Sequence, residues 1–262
     1  MKVSYFPGCT LKTKARELDK YARKCAEKLG VTLEEIENWQ CCGGVFTTSR
    51  DEVATKLSSV RALMEAKEKD QVLVSVCSAC HNVLKQTNHA IQTDEEFASK
   101  VNNYMKETPY QGETTVLHYL ELLRDVVGFD KIKEAVVNPL TNKKIGAYYG
   151  CLLLRPNSVM KMDDPENPTI IEDLILELGA EPVVYPYRNE CCGGYIAMEN
   201  PDSAKKRSGR VTDSAKNAGA ELILTACPLC KYNLEKNGTD IPVVYLTELL
   251  AEALGVKEDD NE

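Results

Sequence analysis

The sequence is organised around one cysteine motif, Trp39-Gln40-Cys41-Cys42-Gly43-Gly44, which occurs again as Asn189-Glu190-Cys191-Cys192-Gly193-Gly194. Each copy has one cysteine upstream of it and a Cys-x-x-Cys pair downstream. Ten of the eleven cysteines therefore fall into two matching sets of five. The first set is Cys9, Cys41, Cys42, Cys77 and Cys80, and the second set is Cys151, Cys191, Cys192, Cys227 and Cys230.

The two motifs belong to two copies of a larger unit. Each half opens with a short strand that ends in Gly-Cys, and each Cys-x-x-Cys pair follows an apolar strand. A later strand followed by a leucine-rich segment is also repeated. Landmarks that recur in the same order indicate a duplication. The turn-rich residues 138–144 separate the copies, so we predict two domains, residues 1–142 and 143–262.

Between the landmarks, strands alternate with helices, which is typical of parallel strands joined by right-handed crossovers. We therefore predict an α/β fold with two small parallel-sheet units related by a pseudo-twofold axis. The first half has extra polar residues at 86–113, and the charged tail 257–262 is expected to be disordered. Helices are predicted at residues 12–29, at 52–67 with Asp51 as the cap, at 169–178 and at 201–217.

Composition excludes several classes of function. The 262 residues are 43% apolar and 27% charged, with a net charge of −8, which is the balance of a globular protein and is unsuited to nucleic-acid binding. No apolar run is long enough for a membrane span, and the N-terminus is too short and mixed for a signal peptide. We therefore expect a cytoplasmic protein, in which clustered cysteines more often bind metal than form disulfides.

The positions of the cysteines favour metal binding. Cys9, Cys77, Cys151 and Cys227 each follow a strand, and ligands of open α/β sheets bind beyond the carboxyl ends of the strands. Backbone N–H groups at a following helix start favour the thiolate, which is the form that binds metal. The Gly-Gly pairs allow the backbone to turn tightly and approach a bulky ligand.

Five cysteines per set indicate an iron–sulfur cluster of unusual shape. A structural zinc ion and a cubane cluster each need four protein ligands, whereas adjacent cysteines suit a cluster in which one thiolate bridges two irons. A structural zinc pair and a thiol–disulfide redox role remain weaker alternatives, because each leaves cysteines unexplained. The usual ferredoxin cysteine run is absent, so another protein would have to deliver electrons.

The duplicated pattern Cys-x31-Cys-Cys-x34-Cys-x-x-Cys and Cys-x39-Cys-Cys-x34-Cys-x-x-Cys resembles the paired cysteine-rich (CCG) domains of the B subunit of heterodisulfide reductase. The resemblance covers almost the whole chain. It implies two tandem Rossmann-like domains and two noncubane [4Fe-4S] clusters, each held by the five cysteines of one set. It also implies an oxidoreductase of methanogenesis that reduces the coenzyme M–coenzyme B mixed disulfide to two thiols.

The resemblance further implies partners. These are the C subunit of heterodisulfide reductase, with cubane clusters, and, through it, the flavin-containing A subunit or a membrane cytochrome, by which the protein would be associated with a membrane. The alternative is a CCG-type electron-transfer subunit of a quinone- or fumarate-linked oxidoreductase. A non-enzymatic zinc-stabilised binding module is a third, weaker possibility.

Several residues outside the sets are candidates for the site. His81 is a candidate proton donor, because histidine titrates near neutrality, with a helix-surface position as the alternative. The implied substrate is anionic, so Arg155, Lys231 and Arg188 are candidate anion ligands. Cys25 and His118 are expected to pack in the core. Other basic or aromatic residues close to cluster cysteines in sequence are Lys12, Lys14, Arg16, Tyr148 and Tyr149.

Overall fold

A computed structural model describes residues 1–44, 52–105 and 109–257. The predicted helix cap at Asp51 and residues 258–262 of the charged tail lie outside this described part. Within it, no helix is both long enough and apolar enough to cross a membrane.

The first half forms a four-stranded, all-parallel sheet in the order β2-β1-β3-β4. Its strands are β1 (Lys2–Phe6), β2 (Thr32–Glu35), β3 (Leu73–Ser75) and β4 (Val116–His118). Its helices are α1 (Cys9–Thr13), α2 (Arg16–Lys28), α3 (Glu52–Glu68), α4 (Ser78–Thr93), α5 (Glu95–Met105), α6 (Tyr119–Glu121), a π-helical turn (Leu122–Val127) and α7 (Phe129–Ala135).

The second half repeats this sheet with its strands in the equivalent order, β6-β5-β7-β8, again all parallel. Its strands are β5 (Lys144–Tyr148), β6 (Glu181–Val183), β7 (Leu222–Thr225) and β8 (Val243–Tyr245). Its helices are α8 (Asn157–Met160), α9 (Ile170–Glu177), a 3₁₀ turn (Gly194–Ile196), α10 (Pro201–Asn217), α11 (Pro228–Asn237) and α12 (Leu246–Leu254).

The predicted fold class, two parallel α/β units, is confirmed, and local differences have identifiable causes. The single helix predicted at residues 12–29 is two helices, because Ala15 leaves helical geometry at φ −134° and ψ 49°. The helix then ends before Gly30, whose φ of +83° suits a glycine. The polar residues 86–113 are not only loop: they extend α4 and form α5.

The two halves pack against each other through helices that each half contributes. In the first half α2 packs against α12 of the second half, and α9 of the second half packs against α7. The Thr247 hydroxyl donates a hydrogen bond of 3.0 Å to the carbonyl of Leu18 across this contact. One apolar core contains buried residues of both sheets. The sheets are thereby fixed relative to each other, and so are the strand ends that carry the cysteines.

Candidate metal centre

Four of the ten patterned cysteines lie where a strand is followed by a helix or a turn. Cys9 begins α1 directly after β1, and Cys77 is the N-terminal cap of α4 after β3. In the second half, Cys151 follows β5, and Cys227 caps α11 after β7. Because the strands of each sheet are parallel, these cysteines lie at one edge of it. The Cys-Cys-Gly-Gly loops supply four more thiols, and the last two, those of Cys80 and Cys230, lie in α4 and α11.

The ten patterned cysteines form one row of neighbouring thiols, in which three pairs of sulfur atoms are in direct contact. The Sγ atoms are 3.5 Å apart in Cys9 and Cys41, and 3.4 Å apart in Cys42 and Cys80. The first set lies beside the second at Cys77 and Cys227, where the hydroxyl of Ser78, next to Cys77, donates a hydrogen bond of 2.8 Å to the carbonyl of Ala226, next to Cys227. The order along the row is Cys9, Cys41, Cys42, Cys80, Cys77, Cys227, Cys230, Cys192, Cys191 and Cys151.

Three thiols in this row have lowered pKa values because their neighbours donate hydrogen bonds to them. The thiol of Cys41, followed by that of Cys80, lowers the pKa of Cys42 to about 4. Cys151 and then Cys192 lower the pKa of Cys191 to about 2. Cys227 and Cys80 lower the pKa of Cys77, with help from backbone N–H groups at the start of α4. These three positions favour the thiolate, the metal-binding form, whereas their hydrogen-bonding neighbours, among them Cys41 and Cys151, have raised pKa values.

Glycines leave room for the thiols on both sides of the site. A Cβ placed on Gly8 would lie 2.7 Å from Sγ of Cys80, and its φ of +77° also favours glycine. The equivalent Gly150 would bring a Cβ to 3.3 Å from Sγ of Cys230. A Cβ on Gly44 would be 3.4 Å from Sγ of Cys42, and Gly194 has the same distance to Cys192. Small backbone positions therefore surround the sulfur atoms.

We expect Gly8→Ala to reduce metal binding by the first set, because the added methyl group would displace Sγ of Cys80. The left-handed backbone adds a cost of roughly 1–2 kcal/mol. Gly219→Ala is the matched control: its φ is +91°, and its Cβ would meet nothing within 4 Å. Iron content and thermal unfolding of both variants check this. Equal iron content in the two variants would contradict a steric role for Gly8.

The donor set suits iron–sulfur clusters, because it consists of thiols. Across residues 1–44, 52–105 and 109–257, no three His, Cys, Asp or Glu side chains lie close enough together to hold one metal ion. All eleven cysteines are free, and ten of them form the sulfur row. Thiolates are the ligands that iron–sulfur clusters use in proteins. The five cysteines of each set are the residues that would hold such a group.

His81 is buried, so the alternative of a helix-surface position is wrong. Its side chain is 0% exposed, and Nε2 is 3.1 Å from Oε2 of Glu121. Burial lowers the pKa of His81, and the hydrogen bond with Glu121 opposes this shift. Lys85 contacts the other Glu121 oxygen at 3.0 Å. The role of His81 as a proton donor stays a prediction.

The three basic candidates all contact carboxylates. Arg188 is buried, and its Nε is 3.1 Å from Oε1 of Glu172. Arg155 contacts Glu166 at 3.2 Å near the surface and donates to the carbonyl of Asn189. Lys231 lies 2.8 Å from Glu235 and 3.3 Å from Glu248. Their role as anion ligands stays a prediction, since each already has a structural partner.

The sequence did not single out Ser78 and Tyr245, although both side chains lie at the junction of the two sets. Ser78 directly follows Cys77, and Tyr245 precedes a helix at the position that corresponds to His118. The sequence shows that both residues lie next to repeated motifs. It does not show the hydrogen bonds that they form across the two halves. As expected, Cys25 and His118 are buried, and burial raises the pKa of Cys25 to about 12.

Two clefts lie between segments of the two halves that adjoin the patterned cysteines in sequence. One, of about 610 Å³, lies along α4 and is bordered by Gly44, Leu152 and Tyr195. The other, of about 620 Å³, lies between α11 and the α1–α2 segment, beside Cys9, and is lined by Lys14 and Lys231 among others. Both are large enough for a small molecule, but no cysteine is among the described residues that line them.

Comparison with known proteins supports the resemblance seen in the cysteine pattern. A family model described as the CCG cysteine-rich domain matches residues 3–85 and 145–235. The chain is 31% identical, over 97% of its length and 92% of the relative's, to the 8-methylmenaquinol:fumarate reductase membrane anchor subunit of Wolinella succinogenes. It is 28% identical to the B subunit of the ferredoxin:CoB-CoM heterodisulfide reductase of Methanosarcina mazei, over 98% and 91% of the two chains.

A further relative and one solved structure agree with this. A protein of Archaeoglobus profundus, named as similar to the B subunit of heterodisulfide reductase, is 28% identical over 97% of this chain and 91% of its own. The crystal structure of a hypothetical protein from Helicobacter pylori superposes with a TM-score of 0.76 at 12% identity. The match covers 98% of this chain and 49% of that protein, and it shows a shared fold.

Proposed function

Because the chain belongs to the family of proteins that carry the cysteine-rich CCG domain, we propose that it is the disulfide-reducing subunit of a heterodisulfide reductase complex. At the coarser level, it is a CCG-type iron–sulfur subunit of an oxidoreductase. The proposed reaction converts the coenzyme M–coenzyme B disulfide, two electrons and two protons into two thiols.

One observation carries this proposal: the two cysteine sets lie side by side at Cys77 and Cys227, because Ser78 and Ala226, which flank these cysteines, are hydrogen-bonded at 2.8 Å. Two noncubane [4Fe-4S] clusters, one per set, would each supply one electron at a time, whereas a disulfide needs two. The chain itself holds the two sets side by side at the ends of two sheets, so that both can reach one S–S bond. Burial of Cys77 and Cys227 excludes water from the meeting point.

The cleft between α11 and the α1–α2 segment is our candidate site for the anionic disulfide, and two glutamates, Glu17 and Glu235, line it together with two lysines. Lys14 and Lys231 line the cleft next to Cys9, and Pro228 and Leu229 give that wall an apolar part. An ammonium group attracts sulfonate, carboxylate and phosphate groups, and an apolar wall accepts their carbon chains. We propose this cleft as one route by which the disulfide reaches the cysteine sets.

The chain would receive its electrons from partner proteins. We propose the C subunit of heterodisulfide reductase, which carries cubane clusters, and, upstream of it, either the flavin-containing A subunit or a membrane cytochrome. Two relatives are named as subunits of heterodisulfide reductase complexes, which supports this assignment. A cytoplasmic location, with membrane association through such partners, stays a prediction.

A second function has support of its own. The relative that is 31% identical is a membrane anchor subunit of an 8-methylmenaquinol:fumarate reductase, and the match spans nearly the whole of both chains. In this alternative the chain passes electrons between a quinone-linked partner and a reductase, with the same cysteine sets and without disulfide chemistry.

A turnover assay separates the two functions. Cluster-replete protein with its partner subunit is given the coenzyme M–coenzyme B disulfide and a one-electron donor dye, and thiol release is measured. We expect two thiols per disulfide consumed, and none from metal-free protein. Absence of thiol release, together with electron transfer from a menaquinol analogue to the oxidised dye or from the reduced dye to fumarate, would favour the electron-transfer subunit.

A further inference from the structure

We propose that Tyr245 and Ser78 are positioning residues that hold the two cysteine sets against each other at Cys77 and Cys227. The inference rests on the proposed function in one respect, that both sets hold clusters. It concerns how the protein fixes the separation of the two sets, which neither the cysteine pattern nor the family membership specifies.

The Tyr245 hydroxyl lies between the two halves. The side chain is 0% exposed, and its hydroxyl donates to the carbonyl of Val76 at 2.6 Å. The same oxygen is 3.3 Å from the carbonyl of Ala226. Val76 and Ala226 are the residues that directly precede Cys77 and Cys227. One side chain therefore contacts the backbone next to both of the cysteines that join the sets.

Ser78 makes a second link at the same place. Its buried hydroxyl donates to the carbonyl of Ala226 at 2.8 Å, across the two halves. It also lies 3.5 Å from Nε2 of His118, which in turn is 3.0 Å from the carbonyl of Val76. Because these groups are buried, water does not replace a bond that is lost, and an unpaired carbonyl is costly.

The junction also shows where the two halves differ. His118 and Tyr245 occupy equivalent positions, since each precedes the helix after the last strand of its sheet and takes part in a capping box. His118 contacts the carbonyl of its own half, at Val76. The longer Tyr245 side chain reaches the carbonyl of Val76 in the other half. Tyr245 thus links the two halves, whereas a histidine at this position, as in the first half, would not.

Removing the Tyr245 hydroxyl should therefore change the spacing of the sets and leave the ligands in place. Tyr245→Phe keeps the ring and removes only the hydrogen bond. Tyr119→Phe is the matched control, because Tyr119 is equally buried and its hydroxyl also donates to a backbone carbonyl, that of Ala22 at 2.9 Å, away from the junction.

The test uses the whole cluster-loaded protein and has a magnetic readout. In the wild type and in Tyr119→Phe, we expect the reduced clusters to broaden or split each other's electron paramagnetic resonance signals. In Tyr245→Phe this interaction should weaken at unchanged iron content, and adding Ser78→Ala should weaken it further. An unchanged interaction in the double variant, or an equal loss in Tyr119→Phe, would overturn the proposal.

A second readout needs no cluster, which separates failure of this proposal from failure of the proposed function. In metal-free reduced protein, the buried Cys77 and Cys227 should react slowly with a thiol reagent. We expect their labelling to be about fivefold faster in Tyr245→Phe and unchanged in Tyr119→Phe, because one net hydrogen bond is lost at the junction. Equal labelling in all three proteins would overturn the positioning role, even if iron analysis showed that no clusters form.

Discussion

Replacing either Cys42 or Cys192 by serine is expected to remove the cluster of that set and nearly abolish disulfide reduction. Each residue is buried in the sulfur row and supplies one of the five thiols of its set. Loss of a supporting group near a metal typically costs 10–100-fold in affinity or activity, and loss of a ligand should cost more than about 100-fold. Thiol release and iron content per chain measure both effects.

The matched control is Cys25→Ala, which removes the one cysteine outside the two sets. Cys25 is buried in α2 and contributes to the core, so we expect a modest loss of stability with unchanged iron content and turnover. Full turnover by Cys42→Ser or Cys192→Ser with half the iron would contradict the joint action of the two sets.

Arg188→Met is expected to lower the free energy of unfolding by about 3–5 kcal/mol, because it leaves Glu172 as an uncompensated buried charge. Arg188 Nε is 3.1 Å from Glu172, both side chains are less than a tenth exposed, and Arg188 also bonds Asn167 at 2.6 Å. Tyr149 donates a hydrogen bond to the same carboxylate. Denaturant unfolding under anaerobic conditions measures the loss.

Two further variants separate this buried pair from a surface effect. Arg155→Met breaks a solvent-exposed contact with Glu166 and should cost no more than about 1 kcal/mol. Adding Glu172→Gln to Arg188→Met should restore part of the stability, since the buried charge is then removed. A stable Arg188→Met protein with a raised KM for the disulfide would instead identify Arg188 as the anion ligand that its position near the cysteines suggested.

The architecture could be predicted because the repeated motifs mark the strands and loops of each half. This does not require knowledge of contacts between residues that are distant in sequence. Two copies of strand, Gly-Cys, Cys-Cys-Gly-Gly and Cys-x-x-Cys define two parallel sheets, and both sheets are observed. The helix at Pro201–Asn217 was also predicted to the residue, because Pro201 and Gly219 mark its ends. The helix α5 was missed, since residues 86–113 read as a polar insert.

The site was less predictable wherever its geometry depends on packing between the halves. Nothing in the sequence spacing indicates that Cys77 and Cys227 lie near each other, because their proximity depends on packing between the two halves, such as that of α2 against α12. His81 is buried against Glu121 and His118, which belong to its own half but lie far along the chain. Of the carboxylate partners of the basic candidates, only Glu235 was accessible from sequence, four residues after Lys231 on one helix.

The most direct test of the central claim is metal and acid-labile sulfide analysis of anaerobically purified protein. Two four-iron clusters predict about eight irons and about eight sulfides per chain, and about half of each in Cys42→Ser or Cys192→Ser. About two zinc ions per chain with no sulfide would contradict the account and leave the cysteine sets as structural zinc sites.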